Sequence, residues 1–330
     1  MATSQGSGKK LIFEEFGSPR TSLKLADFPL ANLQHGEVAV RLLAAPINPA
    51  DLNTIEGTYG VKPALPATPG IEGCGEVTES RSPDFFPGDR VIFLRRASSW
   101  ASHAVMPAGA LFKIPATIDP LQAAILKVNP ATAWRLLHGF GKPPEGSFIV
   151  QNAGNSAVSR CVIQLAPALG IRTISFVRRA ELINELKTLG ADHVFLDDAD
   201  GQAAAEAAMD GKNAALAFNS VGGESALRLM NLLKSGGIHI TYGAMGRRPL
   251  TLPNGLLIFR DLQIRGLWIT QWLENAPPEE IHHVYHHLAE LVATGKLVQP
   301  VDATYPLEDF ANALTRLTAP DRSGKVLFTM

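Results

Sequence analysis

The chain of 330 residues is poor in cysteine, in net charge and in long apolar runs. Its two cysteines are too few for a disulfide framework or a four-cysteine zinc lobe. Lysine and arginine total 30 against 31 acidic residues, so no overall field favours nucleic acid or an anionic membrane surface. No apolar run approaches the roughly 20 residues of a membrane span. These absences argue against a disulfide-rich, a nucleic-acid-binding and a membrane-spanning protein.

The N-terminal stretch MATSQGSGKK also lacks targeting features. It has neither the apolar segment of a signal peptide nor the arginines of a transit peptide. We therefore expect a cytoplasmic protein, or a processed organellar one in the mitochondrial matrix.

Composition and length indicate a globular protein with more than one domain. Hydrophobic residues make up 46% and charged residues 18% of a chain that exceeds the usual length of a single domain. Up to about residue 125, short alternating runs are punctuated by proline and glycine, which predicts a mostly antiparallel β domain or small barrel. The last 55 or so residues carry a helix and strands that we expect to return to this domain.

After Pro120, helical patterns alternate with short apolar strands. The helices AELINELKTLG and SALRLMNLLKSGG are each expected to close on glycine. Strands alternating with helices predict a doubly wound parallel sheet, and therefore an α/β protein. The expected boundaries are 1–128 with 270–330 for one domain and 129–269 for the other. The expected strands of the sheet are 148–151, 173–177, 193–196, 215–219, 238–242 and 262–268.

The turn QNAGNSAVSR follows the first strand of this sheet. Gly154 stands just after the strand and a helix is expected to begin near Ser156, so backbone N–H groups would face a phosphate. Asn152, Asn155 and Ser156 add side-chain donors. Glycine at a helix start is common, and a purely structural turn is the alternative; the surrounding strand order favours a dinucleotide site.

Two arginines end the second strand, where an acid would bind the ribose hydroxyl groups of NAD(H). Arg178 and Arg179 instead match a 2′-phosphate in charge and in donor geometry. The sequence therefore favours NADP(H). The alternative is that both arginines cover a solvated edge.

A catalytic zinc site of the alcohol dehydrogenase kind lacks its ligands. The segment PINPADLNTIEGTYG has no cysteine, and Ile71 stands where a histidine ligand is needed. In HHVYHH, His282 and His286, like His283 and His287, share one helix face, but no carboxylate or cysteine is spaced to complete a site. A solvated helix face is the better interpretation, and we expect no metal.

The chain resembles the zinc-independent medium-chain dehydrogenase/reductases, and within them the 2-enoyl thioester reductase branch. The likeness runs from about Glu37 to Met330 and is carried by the motifs INPADLNTIEGTYG, PGIEGCGEV, PGDRVI, VNPATAWRLL, QNAGNSAV, VIQLAPALGIRTISFVRR, NSVGG, TYGAM and LWITQW. The resemblance implies a GroES-like β-rich catalytic domain beside a Rossmann domain. It also implies that NADPH gives hydride to the β-carbon of an α,β-unsaturated thioester of coenzyme A or acyl carrier protein.

The resemblance further assigns residues. It maps the family's catalytic tyrosine to Tyr59, whose hydroxyl could stabilise the negative charge that develops on the substrate and serve in protonating it; a loop anchor between Gly57 and Gly60 is the alternative. Trp268 would wall the acyl pocket, or else be a core residue. The implied cofactor-binding set is Asn129, Asn155, Ser156, Ala157, Val158, Tyr242, Gly243, Ala244, Met245, Leu267, Trp268, Ile269, Thr270 and Lys325.

Three departures from the branch affect substrate range most. Lys127 stands where glycine is common, RRASSW is shorter than the usual loop, and Ala180 follows Arg179 where a second basic position is usual. Arg95, Arg96 and Lys127 could instead meet the phosphates of coenzyme A or an acidic carrier-protein helix.

Three functions fit the sequence: an enoyl thioester reductase, a quinone or 2-alkenal reductase with the same cofactor, and a non-catalytic NADPH-binding protein. The branch implies a homodimer formed through an edge strand, for which LQIRGLWI is the candidate.

Overall fold

The structure is a computed structural model that describes residues 7–330. The first six residues, on which part of the targeting expectation rests, lie outside the described residues. The rest of the chain divides into two compact units. We call the part up to Val128 together with Leu273–Met330 the first unit, and Asn129–Trp272 the second unit.

The elements follow one another along the chain in three stretches. The first holds β1 (Ser7–Phe13), α1 (Pro19–Ser22), β2 (Leu23–Pro29), β3 (Glu37–Pro46), α2 (Pro49–Glu56), β4 (Cys74–Ser80), β5 (Arg90–Phe93), β6 (His103–Pro107), β7 (Leu111–Lys113) and α3 (Pro120–Ala124). The second holds α4 (Asn129–His138), β8 (Phe148–Gln151), α5 (Ala157–Leu165), β9 (Arg172–Val177), α6 (Leu182–Thr188), β10 (His193–Leu196), α7 (Ala199–Met209), β11 (Ala214–Asn219), α8 (Gly223–Asn231), β12 (Leu233–Thr241), α9 (Asn254–Ile258) and β13 (Gln263–Gly266). The third holds α10 (Ile269–Asn275), α11 (Pro278–Ala293), β14 (Val301–Pro306), α12 (Phe310–Arg316) and β15 (Lys325–Thr329).

The second unit is built on a six-stranded parallel sheet in the order β10-β9-β8-β11-β12-β13. The predicted doubly wound sheet is confirmed. Strands β8 and β11 are neighbours where the strand order reverses, so the chain diverges beyond their carboxyl ends and leaves room for a ligand there. Both strands are buried along their whole length, as expected for a sheet covered on both faces.

Strands β12 and β13 differ most from the sequence prediction. Helix α8 ends at Asn231, and Leu233 already begins β12 opposite Ala214, so the expected glycine closure at Gly236 lies inside a strand. Burial of Leu232 and Leu233 fits helical and strand periodicity equally, and Gly236 takes a positive φ of 72° where the register shifts. Strand β13 covers only four residues because Leu267 and Trp268 leave the sheet edge.

The first unit is built on a seven-stranded sheet that is antiparallel except for one pair. The order is β14-β15-β3-β4-β5-β7, with β6 also paired to β3, and β14 runs parallel to β15. The C-terminal segment returns to this sheet as expected, since Leu327 lies opposite Pro46. Trp100 and Phe328 pack edge to face in its core, with ring centroids 5.1 Å apart.

Candidate functional site

The turn after β8 is compact and ends in a capped helix. Ser156 is the N-cap of α5, and its hydroxyl accepts a hydrogen bond from the Ser159 N–H at 3.2 Å. Gly154 is required by packing, because a Cβ there would lie 2.9 Å from Ser175 Cβ. The N–H of Gly154 donates to the Phe176 carbonyl at 2.8 Å, which joins the turn to β9.

The first N–H groups of α5 point out of the helix. Within the described part of the chain, the N–H groups of Asn155, Ala157 and Val158 have no acceptor. No acidic side chain stands in the first turn of α5. Free donors and the positive end of a helix dipole suit an anion such as a phosphate.

Asn152 does not serve this turn in the predicted way. Its amide donates to Asn219 Oδ1 at 2.8 Å and to Ser225 Oγ at 2.9 Å, and its Oδ1 accepts from the Ser220 N–H at 2.8 Å. The side chain is fully buried and both amide hydrogens are used. The expectation that Asn152 donates to a ligand is therefore wrong: it ties the end of β8 to the end of β11.

Arg178 and Arg179 follow β9 directly. Arg178 is exposed and has no ion-pair partner among residues 7–330, so its guanidinium is available to a ligand. Arg179 is half-buried, and its Nε lies 3.7 Å from Glu181 Oε1. Of the two arginines, Arg178 is the better placed for a phosphate.

The carboxyl end of β12 brings the predicted segment 242–245 next to the end of β11. Tyr242 N–H donates to the Asn219 carbonyl at 3.0 Å and Met245 N–H to the Ser220 carbonyl at 2.8 Å. Gly243 is close to Ser220, since a Cβ would lie 3.2 Å from Ser220 Cβ. Ala244 and Met245 are exposed.

Several buried polar atoms of the second unit lack hydrogen-bond partners among the described residues. They are Asn129 Nδ2, Ser220 Oγ and Tyr242 Oη. Burial raises the pKa of the Tyr242 phenol, while the nearby hydroxyls of Ser159 and Ser220 oppose that shift. Buried polar groups are normally satisfied, so these atoms are ones that a polar ligand could complete.

The segment after β13 carries Trp268 on the surface. Leu267 N–H donates to the Thr241 carbonyl at 3.0 Å, and the Trp268 carbonyl accepts from Gln271 N–H at 3.1 Å. Trp268 is 37% exposed, so it is not a core residue. Ile269 is buried and Thr270 half-buried, both at the start of α10.

In the first unit, Tyr59 stands just beyond helix α2. Gly57 caps the helix with a φ of 73°, a left-handed conformation that favours glycine. The N–H groups of Thr58 and Tyr59 both donate to the Asn53 carbonyl, at 2.9 and 3.1 Å. Tyr59 is half-buried and its backbone is therefore fixed to the end of α2.

The other end of α2 rests on a cluster of buried charges that sequence reasoning missed. Asn48 and Asp51 form a capping box, and Asp51 also accepts from Ile71 N–H at 2.9 Å. Glu72 accepts from Asn48 Nδ2 and from Val128 N–H, each at 2.8 Å. We call Asn48, Asp51, Glu72, Lys127 and Lys325 the Asn48 cluster. The only hint in the sequence was the acid beside Ile71 in PGIEG.

Burial controls the charges of this cluster. Desolvation raises the pKa of Asp51 to about 6 and also raises that of Glu72, although Lys325 opposes both shifts. Burial lowers the pKa of Lys127 to about 8, against the attraction of Glu72. Lys127 Nζ donates to the Ile71 carbonyl at 2.7 Å. It is therefore a structural partner in the first unit, whereas Arg95 is exposed.

Lys325, expected among the cofactor residues, is buried at the start of β15. Its Nζ donates to Asn48 Oδ1. The structure thus places it in the Asn48 cluster of the first unit. The residues of the predicted set that follow β8, β9, β12 and β13 in the chain lie beyond the carboxyl ends of these strands of the parallel sheet.

The histidines of α11 lie mostly on its exposed face. His282, His283 and His286 are exposed, and His286 Nε2 lies 3.9 Å from Glu290. Over residues 7–330, no three His, Cys, Asp or Glu side chains are grouped so that they could hold a metal ion. In the same part of the chain, no helix combines the length and apolar character of a membrane span.

Comparison with known families matches both units. The family described as "Alcohol dehydrogenase GroES-like domain" matches residues 34–116, and "Zinc-binding dehydrogenase" matches residues 157–290. The zinc of the second description finds no ligand set among the described residues.

Curated relatives and solved structures are similar over nearly the whole chain. The mitochondrial enoyl-[acyl-carrier-protein] reductase of Homo sapiens is 38% identical, over 98% of this chain and 88% of that protein. The Arabidopsis thaliana protein of the same name is 38% identical, over 93% and 84%. A complex of Etr1p with NADP and crotonyl-CoA superimposes with a TM-score of 0.90 at 27% identity, over 98% and 100%. The chain belongs to the 2-enoyl thioester reductase branch of the medium-chain dehydrogenase/reductases, whose GroES-like and Rossmann parts are its two units.

Proposed function

We propose that the protein reduces the C2=C3 double bond of trans-2-enoyl thioesters with NADPH. One observation carries the proposal: the likeness to enoyl-[acyl-carrier-protein] reductases extends over 98% of the chain, through both units. The Etr1p complex with crotonyl-CoA supports a thioester of coenzyme A, and the names of the relatives support one of acyl carrier protein.

The residues of the second unit fit NADPH. Ala157 and Val158 present free N–H groups to a phosphate, and Arg178 is available to the 2′-phosphate. Asn129, Ser220 and Tyr242 offer buried polar atoms that lack partners within residues 7–330. When bound, NADPH supplies the hydride that is added to the β-carbon of the thioester.

Tyr59 acts on the opposite side of the reduced bond. Adding hydride to the β-carbon moves negative charge onto the thioester carbonyl oxygen, and the α-carbon must then gain a proton. The cap of α2 holds the backbone of Tyr59, and the phenol hydroxyl of this residue is suited to stabilise that charge and to serve in the proton transfer. Trp268, exposed after β13, is proposed to wall the acyl chain.

Side-by-side kinetics with crotonyl-CoA, crotonyl-pantetheine and a quinone test the thioester assignment. We expect the highest kcat/KM for crotonyl-CoA and a sharp fall when the nucleotide part of coenzyme A is removed, because remote binding energy is used in the transition state. Equal kcat/KM values for all three acceptors would remove the assignment.

A quinone reductase is the second candidate, because a candidate NADPH:quinone reductase of Bacillus thuringiensis superimposes with a TM-score of 0.92 at 28% identity. The acceptor comparison separates the two functions. Tyr59→Phe tests the alternative of a non-catalytic NADPH-binding protein. For a reductase, we expect kcat to fall by about tenfold or more while NADPH still binds. Unchanged reduction of every acceptor would show that the hydroxyl has no chemical role.

The NADPH assignment is tested by Arg178→Ala. We expect the Kd for NADPH to rise by about tenfold or more and the Kd for NADH to stay within about twofold, because only NADPH carries the 2′-phosphate. Parallel losses for both dinucleotides would contradict the phosphate role. Arg179→Ala in the same assay shows how much the half-buried neighbour adds.

The proposed assembly is a homodimer formed along β13. This strand is one of the two edge strands of the parallel sheet, and Ile258 and Phe259, which precede it in the chain, are 70% and 83% exposed. A related Etr1p/Etr2p pair from Candida tropicalis is a heterodimer. Light scattering should give twice the chain mass, and Phe259→Asp should give the monomer mass. A monomeric wild type would refute this assembly.

The proposed compartment is the mitochondrial matrix, since the human and Arabidopsis thaliana relatives are named as mitochondrial. Imaging of the chain with a C-terminal fluorescent fusion tests it. A uniform cytoplasmic signal would support the alternative expectation from the N-terminal composition.

A further inference from the structure

Arg160 is a buried arginine next to the nucleotide turn. It stands in the first half of α5 and is only 4% exposed. Its Nε donates to the Asn155 carbonyl at 3.1 Å, and its Nη2 lies 2.5 Å from Glu185 Oε1 on α6. One side chain thus joins the turn before α5 to the helix that follows Arg178 and Arg179.

A buried guanidinium is an expensive way to fill this position. Removing a charge from water is costly unless pairing and hydrogen bonds compensate, and an apolar side chain of similar volume is often at least as stabilising. The helix could therefore pack with methionine here. What distinguishes the arginine is its hydrogen bond to the Asn155 carbonyl, because an apolar side chain cannot donate a hydrogen bond.

That bond fixes one peptide of the turn. The Asn155 carbonyl accepts from Arg160, and the N–H of the same peptide, on Ser156, donates to the Ala153 carbonyl at 2.8 Å. With both ends of this peptide fixed, the backbone that carries the N–H groups of Asn155, Ala157 and Val158 is held in place. Those are the free donors of the turn.

We propose that Arg160 is a positioning residue for the pyrophosphate of the dinucleotide, and that Glu185 orients its guanidinium. The inference rests on the proposed binding of NADPH. Glu185 largely offsets the charge of Arg160, so the effect comes from the direction of the turn N–H groups more than from net charge. Because NADPH and NADH share the pyrophosphate, Arg160 acts equally on both.

The experiment measures the Kd values of NADPH and NADH by fluorescence titration, without any acceptor substrate. Arg160→Met removes both bonds, and we expect both Kd values to rise by about tenfold with their ratio unchanged. Arg160→Gln keeps an amide donor for Asn155 but no charge, and we expect it to recover part of the affinity. Glu185→Gln keeps the arginine and should raise both Kd values by about twofold to threefold.

The matched control is Arg172→Met. Arg172 lies at the opposite end of β9 from Arg178, where it stacks on Phe148 at 4.3 Å and contacts Asp192. The Arg172→Met variant also removes an arginine of the second unit, but it changes no contact of the nucleotide turn. Both Kd values should therefore stay within about twofold of the wild-type values. Melting temperatures of all variants separate lost stability from lost positioning.

The outcomes distinguish this inference from the function on which it rests. If wild-type protein binds neither dinucleotide, the proposed function fails and the inference with it. If wild type binds NADPH and Arg160→Met keeps both affinities, or changes only the melting temperature, the inference alone is overturned. Should Arg160→Met not fold, Glu185→Gln decides: unchanged Kd values refute the positioning role.

Discussion

Two groups of buried polar side chains, one in each unit, differ in how their hydrogen bonds are completed. In the Asn48 cluster of the first unit, the side chains of Asp51 and Glu72 each accept two hydrogen bonds from protein donors. At the carboxyl edge of the second-unit sheet, Ser220 and Tyr242 end in hydroxyls with no partner among the described residues. The first arrangement fixes a helix, and the second leaves polar atoms to be satisfied from outside. At these two places, the complete network supports a helix and the incomplete one suits a polar ligand.

The largest expected effect comes from breaking the complete network with Glu72→Gln. Glutamine has one acceptor oxygen, so its NH₂ would face either the Asn48 amide or the Val128 N–H, donor against donor. We expect the free energy of unfolding to fall by about 3 kcal/mol, measured by urea denaturation.

The control for this prediction is Glu76→Gln. Glu76 is half-exposed on β4 and 3.5 Å from Arg41, so its loss should cost less than about 1 kcal/mol. Equal losses in the two variants would show that the Asn48 cluster is no more than surface electrostatics. It would then be no special support for α2 and Tyr59.

A smaller effect on stability is expected from His239, a buried group inside the parallel sheet of the second unit. His239 on β12 is fully buried, and both ring nitrogens lack partners among residues 7–330. Burial lowers its pKa from 6.5 to about 4. The unfolded chain therefore binds a proton more readily, and stability is present above pH 6.5 and is lost as the pH falls toward 4.

The size of this effect can be measured in isolation. Between pH 7 and pH 5, His239 should cost about 2 kcal/mol of unfolding free energy, and the loss should be absent from His239→Leu. Urea titrations at several pH values check this. If the wild type and His239→Leu show the same acid dependence, the ring of His239 is hydrogen-bonded to water or to a bound ligand. The buried polar atoms of this unit that lack partners among the described residues would then not all be alike.

The fold could be predicted from local sequence patterns, but the hydrogen bonds that hold the site residues in place could not. Gly154 and Ser156 announce a turn and a cap in any sequence, because glycine and serine act through their own backbone neighbours. Asn152 looks like one more donor of that turn. Its partners Asn219 and Ser225 are 67 and 73 residues away, and only the adjacency of β8 and β11 reveals them.

Lys325 and Arg160 show the same limit. Nothing near Lys325 in the chain suggests that Asn48, 277 residues earlier, is its partner. Arg160 has the spacing of an ordinary helix residue, and its burial against Glu185 depends on how α5 and α6 lie on the sheet. Long polar side chains reach partners that hydrophobic periodicity does not encode, so such charge networks become apparent only in the folded structure.

The smallest expected effect on stability comes from Tyr242→Phe, which tests the incomplete side of the comparison. The phenol oxygen is buried and has no partner in the described part of the chain, so its removal deletes an unsatisfied group. The free energy of unfolding should therefore stay within about 0.5 kcal/mol of the wild-type value or rise. If that oxygen binds the dinucleotide, the Kd for NADPH should nevertheless rise severalfold, to about fivefold.

Asn152→Ala is the contrasting variant, because it removes three hydrogen bonds at the same edge of the sheet. It should lower the free energy of unfolding by about 2–3 kcal/mol. A loss of more than 1 kcal/mol in Tyr242→Phe, to order of magnitude, with an unchanged Kd would mean that its hydroxyl already has a structural partner such as water. The polar groups at the carboxyl edge of the sheet would then have a structural role, like those of the Asn48 cluster. The free N–H groups at the start of α5, together with Arg178, would have to bind the cofactor alone.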